Sequence, residues 1–131
     1  MTDKKLKVLI VDDDKFLLEM YGVKFLNSGF DADTSVGAVN ALKKLRDGYK
    51  PDIIVSDIVM PEIDGHMFVD TVKKENLAPG AVIVMLTNQS QDSDIDRSRE
   101  LEVSGYIVKA STIPSEVVVK VKDIYEASKK K

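Results

Sequence analysis

Four short apolar runs of this chain are each followed directly by polar side chains that could take part in chemistry. Carboxylates follow two of the runs, and a hydroxyl and an ammonium group follow the other two. If the runs are parallel strands, these groups meet at one edge of the sheet, because the carboxyl ends of such strands form the usual site. The groups are Asp12 and Asp13 after residues 6–11, Asp57 after 53–56, Thr87 after 81–86 and Lys109 after 106–108.

The charges of this set require a cation. Three carboxylates and the Lys109 ammonium leave a net charge of −2 in one crevice, and two carboxylates about 4 Å apart repel by about 4 kcal/mol at an effective dielectric near 20. Oxygen ligands select Mg²⁺ or Mn²⁺, which keep coordination positions open to phosphoryl oxygens. Lys109 and Thr87 could bind the remaining phosphoryl oxygens while one aspartate attacks phosphorus. The residues therefore predict a metal-dependent phosphoryl-transfer site.

Five apolar runs alternate with segments of helical period, which predicts an α/β fold with a parallel sheet. Four of the runs are rich in Val and Ile and nearly continuous, as is typical of strands covered on both faces. The second run contains Asp31, Asp33 and Thr34, which favours an edge strand. The predicted strands are 6–11, 30–36, 53–56, 81–86 and 106–108.

Four of the intervening segments predict amphipathic helices. The fifth, residues 92–103, has only three apolar residues and should be marginally packed. Asp14 and Asp64 are expected N-caps, Pro114 is expected in the first turn of the last helix, and Thr112 is a possible cap. The predicted buried faces are Phe16, Met20, Val23 and Asn27 with Leu17 and Tyr21 beside them; Ala38, Ala41, Leu42 and Leu45; Phe68, Val69 and Val72; and Val117, Val121, Ile124 and Tyr125.

Composition limits the class of protein. The chain has 131 residues, which is the size of one domain, so a single domain over 1–131 with a core at about 5–127 is expected. It has no cysteine, which excludes disulfides and thiolate metal sites, and its net charge of −3 provides no global attraction for nucleic acid. The longest apolar run, 81–86, is too short to span a membrane. The first residues show no signal-peptide pattern, so a cytoplasmic location is expected.

The motifs in this order resemble the receiver domain of two-component response regulators. They are VDD at 11–13, DIVMPEIDG at 57–65, Thr87 and YIVK at 106–109, and the similarity extends over about 5–127. The resemblance implies a doubly wound, flavodoxin-like (CheY-like) fold. Its five-stranded parallel sheet has the order 2-1-3-4-5 and is flanked by five helices.

The resemblance also implies a role for each site residue. Asp57 would be the phosphoacceptor, and Mg²⁺ (or Mn²⁺) would be held by Asp57, by Asp13 directly, by Asp12 through water and by the Val59 carbonyl. Thr87 and Lys109 would bind phosphoryl oxygens, and Tyr106 would swing with Thr87. Such a domain is a switch rather than a turnover enzyme, since it catalyses only its own phosphorylation and dephosphorylation.

The implied partners follow from this chemistry. A sensor histidine kinase or a histidine phosphotransfer protein would supply the phosphoryl group. The readout would lie on the surface of helix 92–103, the fifth strand and the last helix, and would reach an effector protein or a missing output domain. The chain has no helix-turn-helix pattern, so direct nucleic-acid binding is not expected, and neither is membrane binding. Both a monomer and a phosphorylation-dependent dimer are compatible with the sequence.

Some residues depart from the family pattern. Ala110 replaces the usual proline after Lys109, and a cis bond before a non-proline residue costs about 2.5–4 kcal/mol, so a trans bond is favoured and a strained cis bond is the alternative. Asn88 could narrow access to the site, and Glu102 stands where a helix-ending glycine is common. Gln89 could orient a water molecule where Val59 cannot, which suggests slow to moderate dephosphorylation.

The lone histidine, His66, is expected to be exposed and without a role.

Two other readings remain open from the sequence. Asp12 and Asp14 form a D-x-D pattern like that of haloacid-dehalogenase-type phosphohydrolases, although the required late acidic pair would have to come from Asp92, Asp94 and Asp96 on a helix. A flavodoxin-like interaction module with a degenerate site is the second alternative.

Asp14 is better explained as a helix cap, and Pro61 and Gly65 are expected to supply the turn after Asp57.

Overall fold

A computed structural model of the protein describes residues 5–87, 96, 99–109 and 112–129. The five strands form one sheet in which all neighbours are parallel, with the order β2-β1-β3-β4-β5. The predicted fold class and strand order are therefore confirmed. The strands are β1 (Lys7–Asp12), β2 (Asp31–Val36), β3 (Ile53–Asp57), β4 (Val82–Thr87) and β5 (Gly105–Val108).

Four helices are bounded within the described part of the chain: α1 (Lys15–Asn27), α2 (Gly37–Arg46), α3 (Gly65–Lys74) and α4 (Pro114–Lys129). Most of the further predicted helix, 92–103, lies outside the described residues. Its described members Asp96, Arg99 and Glu100 are helical, whereas Leu101 and Glu102 form a turn, so this helix ends before Val103. Among the described residues, no helix is both long and apolar enough to cross a membrane.

Alternating side chains of the sheet build two cores. On β1, Val8 and Ile10 face the layer of α1 and α4, while Leu9 and Val11 face the layer of α2 and α3. The central strands β1, β3 and β4 are covered on both faces, as their continuous apolar runs predict. Polar β2 lies at one edge as expected. At the other edge, Ile107 is the only buried residue of β5, so the prediction of full cover is wrong for this strand.

The predicted central stripe of α1 is wrong, although Leu17 and Tyr21, expected beside it, do pack in or against the core. Phe16 is 82% exposed, Met20 and Val23 are about half exposed, and Asn27 is exposed as well. Most positions of this helix are apolar, so periodicity alone does not identify the inner side. The structure turns Gly22 toward β2, where a Cβ atom would lie 3.4 Å from Thr34 Cγ2, and this close approach selects the inner face. The buried residues are Leu18, Tyr21, Gly22 and Phe25.

Two of the three predicted helix caps are confirmed. The Asp14 carboxylate accepts from the amides of Phe16 and Leu17 at 2.9 and 3.2 Å. The Asp64 carboxylate accepts from the Met67 amide at 2.8 Å. Thr112 does not cap α4, because its buried hydroxyl makes no hydrogen bond with any described residue.

At the start of α4, the Ile113 carbonyl accepts from the amides of Glu116 and Val117 at 2.9 and 3.0 Å. Pro114 is the first residue of the helix, as predicted. It can occupy this position because a helix needs no hydrogen bond from its first amide.

His66 is buried, with 2% of its surface exposed, so the expectation of an exposed histidine is wrong. It lies in the first turn of α3, three residues before Val69, and shares the inner face of the helix with it. The position within the turn, rather than the polarity of the side chain, decides its burial.

Candidate functional site

The structure brings the predicted polar residues together at the carboxyl edge of the sheet. Asp12, Asp57 and Thr87 are the last residues of β1, β3 and β4, and Lys109 directly follows β5. β1, β3 and β4 thus each end one residue later than the sequence predicts. Since the site residues belong to the strand ends themselves, the hydrogen-bonded ladder of the sheet fixes their backbone positions.

A buried ion-pair network lies at the centre of the site. The Lys109 ammonium is 2.8 Å from Asp12 Oδ2 and 3.3 Å from Asp57 Oδ2. The remaining carboxylate oxygens accept from backbone amides: Asp12 Oδ1 from Asp14 at 3.0 Å, and Asp57 Oδ1 from Ile58 at 2.8 Å. Asp12 is fully buried and Asp57 is 3% exposed. Both carboxylates are therefore held in fixed orientations.

The pKa of Asp57 is raised from 3.8 to about 6. Burial is the main cause, and the Asp12 carboxylate adds to it, while the Lys109 ammonium and the Ile58 amide act in the opposite direction. Burial disfavours the charged form of Lys109, but its hydrogen bond to Asp12 and the nearby carboxylates raise its pKa overall. The carboxylates of the site therefore repel one another, because the single positive charge of Lys109 does not fully neutralise them.

Three carboxylates are placed to hold a metal ion. One oxygen each of Asp12, Asp13 and Asp57 lies within 4.8 Å of the others, and Asp13 is the exposed member. With Lys109 the net charge is −2, and the donor set consists of oxygens alone, which suits a hard divalent cation such as Mg²⁺. The residues present fit such an ion in both charge and ligand type.

The other predicted site residues lie at different depths around this cluster. Thr87 is buried at the end of β4. Val59 is 68% exposed in the loop between β3 and α3, and Tyr106 is 39% exposed on the edge strand. Asn88, Gln89 and Ala110 lie outside the described residues, and so does the Lys109–Ala110 bond.

Asp14 is exposed and its carboxylate caps α1, so it is not part of the acidic cluster. The D-x-D reading of Asp12 and Asp14 therefore has no support in the geometry. Of its late acidic candidates, Asp96 is an exposed helical residue, and Asp92 and Asp94 lie outside the described part of the chain.

Sequence reasoning missed two neighbours of the charged residues, Tyr21 and Ser56, and expected Gly65 only as a turn residue. Tyr21 is 2% exposed, and burial raises its pKa, as do the carboxylates of the site, while Lys109 lowers it. Ser56 is fully buried, and its hydroxyl donates to the Asp57 carbonyl at 2.9 Å. Gly65 packs directly against the same carbonyl. Of the two missed residues, only the tyrosine gave a signal, since a polar tip at an apolar helical position requires a polar neighbour.

Comparison with known proteins identifies the family of the chain. The family model described as the response regulator receiver domain matches residues 8–122. The alkaline phosphatase synthesis transcriptional regulatory protein PhoP of Bacillus subtilis is 32% identical over 122 residues, covering 93% of this chain and 49% of its own length. A transcriptional regulatory protein CpxR homolog of Haemophilus influenzae is 34% identical over 97 residues, covering 74% of this chain and 40% of its own.

The chain spans about half the length of these relatives. Among solved structures, the chemotaxis response regulator CheY4 of Vibrio cholerae has a TM-score of 0.83 at 25% identity, covering 92% of this chain and 99% of its own. A Francisella response regulator receiver domain has a TM-score of 0.82 at 25% identity, covering 95% and 100%. With the family model matched from the first strand into the last helix, this chain belongs to the response regulator receiver domains of two-component systems.

Proposed function

We propose that the chain is a phosphorylation switch that accepts a phosphoryl group on Asp57. The observation that supports this most directly is the position of the Asp57 carboxylate, 3.3 Å from the Lys109 ammonium and within 4.8 Å of the Asp12 and Asp13 oxygens. A nucleophile, a cation and metal ligands thus converge on one point. The phosphoryl donor is a phosphohistidine of a sensor kinase or a histidine phosphotransfer protein.

In the proposed reaction, an Asp57 oxygen attacks phosphorus, a P–O bond forms, and the P–N bond to the donor histidine breaks, with the imidazole taking up a proton. Mg²⁺ held by Asp12, Asp13, Asp57 and the Val59 carbonyl would supply charge neutralisation for the phosphoryl oxygens. The Lys109 ammonium keeps Asp57 ionised against its burial, and the Ile58 amide fixes the other carboxylate oxygen. Lys109 and Thr87 then bind the phosphoryl oxygens.

We propose that the signal leaves the domain through the β5 edge of the sheet. The added charge beside Thr87 and Lys109 shifts the local structure, and Tyr106 on β5 moves with Thr87. The responding surface consists of β5, α4 and the helix predicted over 92–103. Tyr106 is already 39% exposed, so its ring can rearrange without opening the core.

We propose that residues 1–131 are one receiver domain whose chemistry is its own phosphorylation and dephosphorylation. Its relatives are named as transcriptional regulators, so an output domain or a separate effector protein is the proposed receiver of the signal. Nucleic acid and membranes are not proposed to contact this domain directly. A cytoplasmic location and a monomer, or a dimer formed on phosphorylation, complete the proposal.

Intact mass after incubation with acetyl phosphate and Mg²⁺ tests the assignment. We expect one adduct of about 80 Da, the mass of one phosphoryl group. The adduct should be absent in Asp57→Ala and in the presence of EDTA. Asp14→Ala is the matched control, because Asp14 is an exposed carboxylate next to the cluster, and it should still form the adduct. An adduct that persists in Asp57→Ala would overturn the assignment.

A further inference from the structure

The loop after the candidate phosphoacceptor folds back so that the first residue of α3 touches the end of β3. A Cβ atom on Gly65 would overlap the Asp57 carbonyl oxygen and would lie 2.8 Å from Ile58 Cα and 2.9 Å from Met85 Cε. Backbone atoms account for two of these contacts and cannot turn aside as a flexible side chain can. Glycine is therefore required by the space at position 65.

Gly65 also holds Ile58 directly, since its amide donates to the Ile58 carbonyl at 2.7 Å. The Ile58 amide in turn points to Asp57 Oδ1 at 2.8 Å and to the Leu86 carbonyl at 3.0 Å. A single residue, Ile58, thus links Gly65 on one side to the reactive carboxylate on the other. Any displacement of Ile58 by a side chain at position 65 would turn its amide away from Asp57.

Ser56 constrains the same peptide from the preceding side. It is fully buried, and its hydroxyl donates to the Asp57 carbonyl at 2.9 Å. The Asp57–Ile58 peptide is therefore held by Ser56 and by Gly65, while the Asp57 carboxylate itself extends into the acidic cluster.

We infer that Gly65 and Ser56 are positioning residues for the phosphoacceptor. They hold the Asp57–Ile58 peptide so that the Ile58 amide orients one carboxylate oxygen and leaves the other toward Lys109. This inference rests on the proposed function of Asp57. Neither residue contacts the phosphoryl group or the metal, and each acts only through the backbone of Asp57 and Ile58.

The test compares Gly65→Ala with Gly105→Ala. A Cβ atom on Gly105 would also be too close to a neighbour, at 2.8 Å from Ile124 Cδ1, but that neighbour is the flexible end of a side chain on α4. Three quantities are measured for each variant: the thermal unfolding midpoint, the Mg²⁺ dissociation constant from NMR titration of backbone amides, and the rate of adduct formation with acetyl phosphate.

We expect Gly65→Ala to weaken Mg²⁺ binding and slow adduct formation by about 10- to 100-fold, as is typical when residues behind metal ligands are changed. Gly105→Ala should lower the unfolding midpoint and change both other quantities by much less than Gly65→Ala does. Equal Mg²⁺ affinity and adduct rate in Gly65→Ala and the wild type would overturn the inference, as would equal losses in both glycine variants.

Ser56→Ala decides the matter if Gly65→Ala does not fold, with Ser35→Ala on β2 as its buried control. Loss of one hydrogen bond predicts a reduction of about 2- to 10-fold in adduct rate for Ser56→Ala alone. No difference between the two serine variants would contradict the inference. If the wild type forms no adduct at all, the proposed function fails instead, and the Mg²⁺ affinities still test the positioning role.

Discussion

The Lys109 ammonium lies 2.8 Å from Asp12 Oδ2, although 97 positions separate the two residues in the chain. Lys109 follows β5 at one edge of the sheet, and Asp12 ends β1, with β3 and β4 between them. The lysine side chain therefore reaches back across two strands, and only 8% of it is exposed to solvent. A buried pair of this kind fixes the ammonium beside Asp57, where the proposed phosphoryl group would bind.

Removal of the ammonium should destabilise the fold. Lys109→Met keeps the length of the side chain but leaves Asp12 and Asp57 as buried carboxylates without their cation. Breaking a buried pair in this way costs about 3–5 kcal/mol of unfolding free energy. Urea unfolding at neutral pH measures the loss.

The double variant Lys109→Met with Asp12→Asn is the control for this effect, because it removes the uncompensated charge as well. It should recover a substantial part of the lost stability. A single variant as stable as the wild type would show that the pair contributes nothing to folding.

Asp57→Asn should stabilise the metal-free protein, and the gain should depend on pH. The fold raises the pKa of Asp57 from 3.8 to about 6, so the folded state holds this proton more tightly than the unfolded chain. The contribution of Asp57 to wild-type stability is therefore fully present below the lower value and is lost as pH rises through the higher one. Asparagine cannot ionise, and a gain of about 1–3 kcal/mol is expected above about pH 7.

Thermal and urea unfolding in EDTA between about pH 4 and pH 8 measure this difference. The advantage of Asp57→Asn should shrink toward the acidic end. An advantage that grows on acidification would contradict the raised pKa.

Asp13→Asn should separate metal binding from stability. Asp13 is the exposed carboxylate of the cluster, so its loss leaves the buried Asp12–Lys109 pair intact. Mg²⁺ affinity, measured by NMR titration, should fall by about 10- to 100-fold. The unfolding free energy without Mg²⁺ should stay equal or rise, because one repelling charge is gone. Wild-type Mg²⁺ affinity in this variant would exclude Asp13 as a ligand.

The observed face of α1 predicts unequal effects at its two phenylalanines. Phe16 is 82% exposed and Phe25 is fully buried, with its ring 5.2 Å from that of Phe30. Phe25→Ala should cost about 3–5 kcal/mol, whereas Phe16→Ala should change the unfolding free energy by less than about 0.5 kcal/mol. Urea unfolding of the two variants compares them directly. Equal losses of unfolding free energy would indicate that Phe16 is buried, as the periodicity of the sequence predicts.

Glu102→Gly should stabilise the protein. Glu102 has φ of 58°, in the left-handed region where a Cβ atom is disfavoured. The resemblance to receiver domains leads us to expect a helix-ending glycine at this position. We expect a gain of about 0.5–1 kcal/mol in thermal unfolding experiments. Glu100→Gly is the control, since Glu100 is exposed and helical, and there glycine should cost about 1 kcal/mol. A loss in both variants would contradict the strain at Glu102.

Much of the fold follows from local patterns in the chain. The runs of Val and Ile identify β1, β3 and β4, the polar residues of β2 place it at an edge, and the carboxyl-end rule brings Asp12, Asp57 and Lys109 together. Asp14 and Asp64 are predictable as caps, because a carboxylate that binds its own following amides needs no distant partner.

Only the tertiary structure decided which side of α1 is buried, that His66 lies inside, and that Thr112 does not cap α4. The same holds for the raised pKa of Asp57 and for the contact of Gly65 with its carbonyl. Residue types and spacing determine what each segment can do by itself. Burial, charge coupling and close approach depend on segments far apart in the chain, so they exist only once the sheet and its helices have assembled.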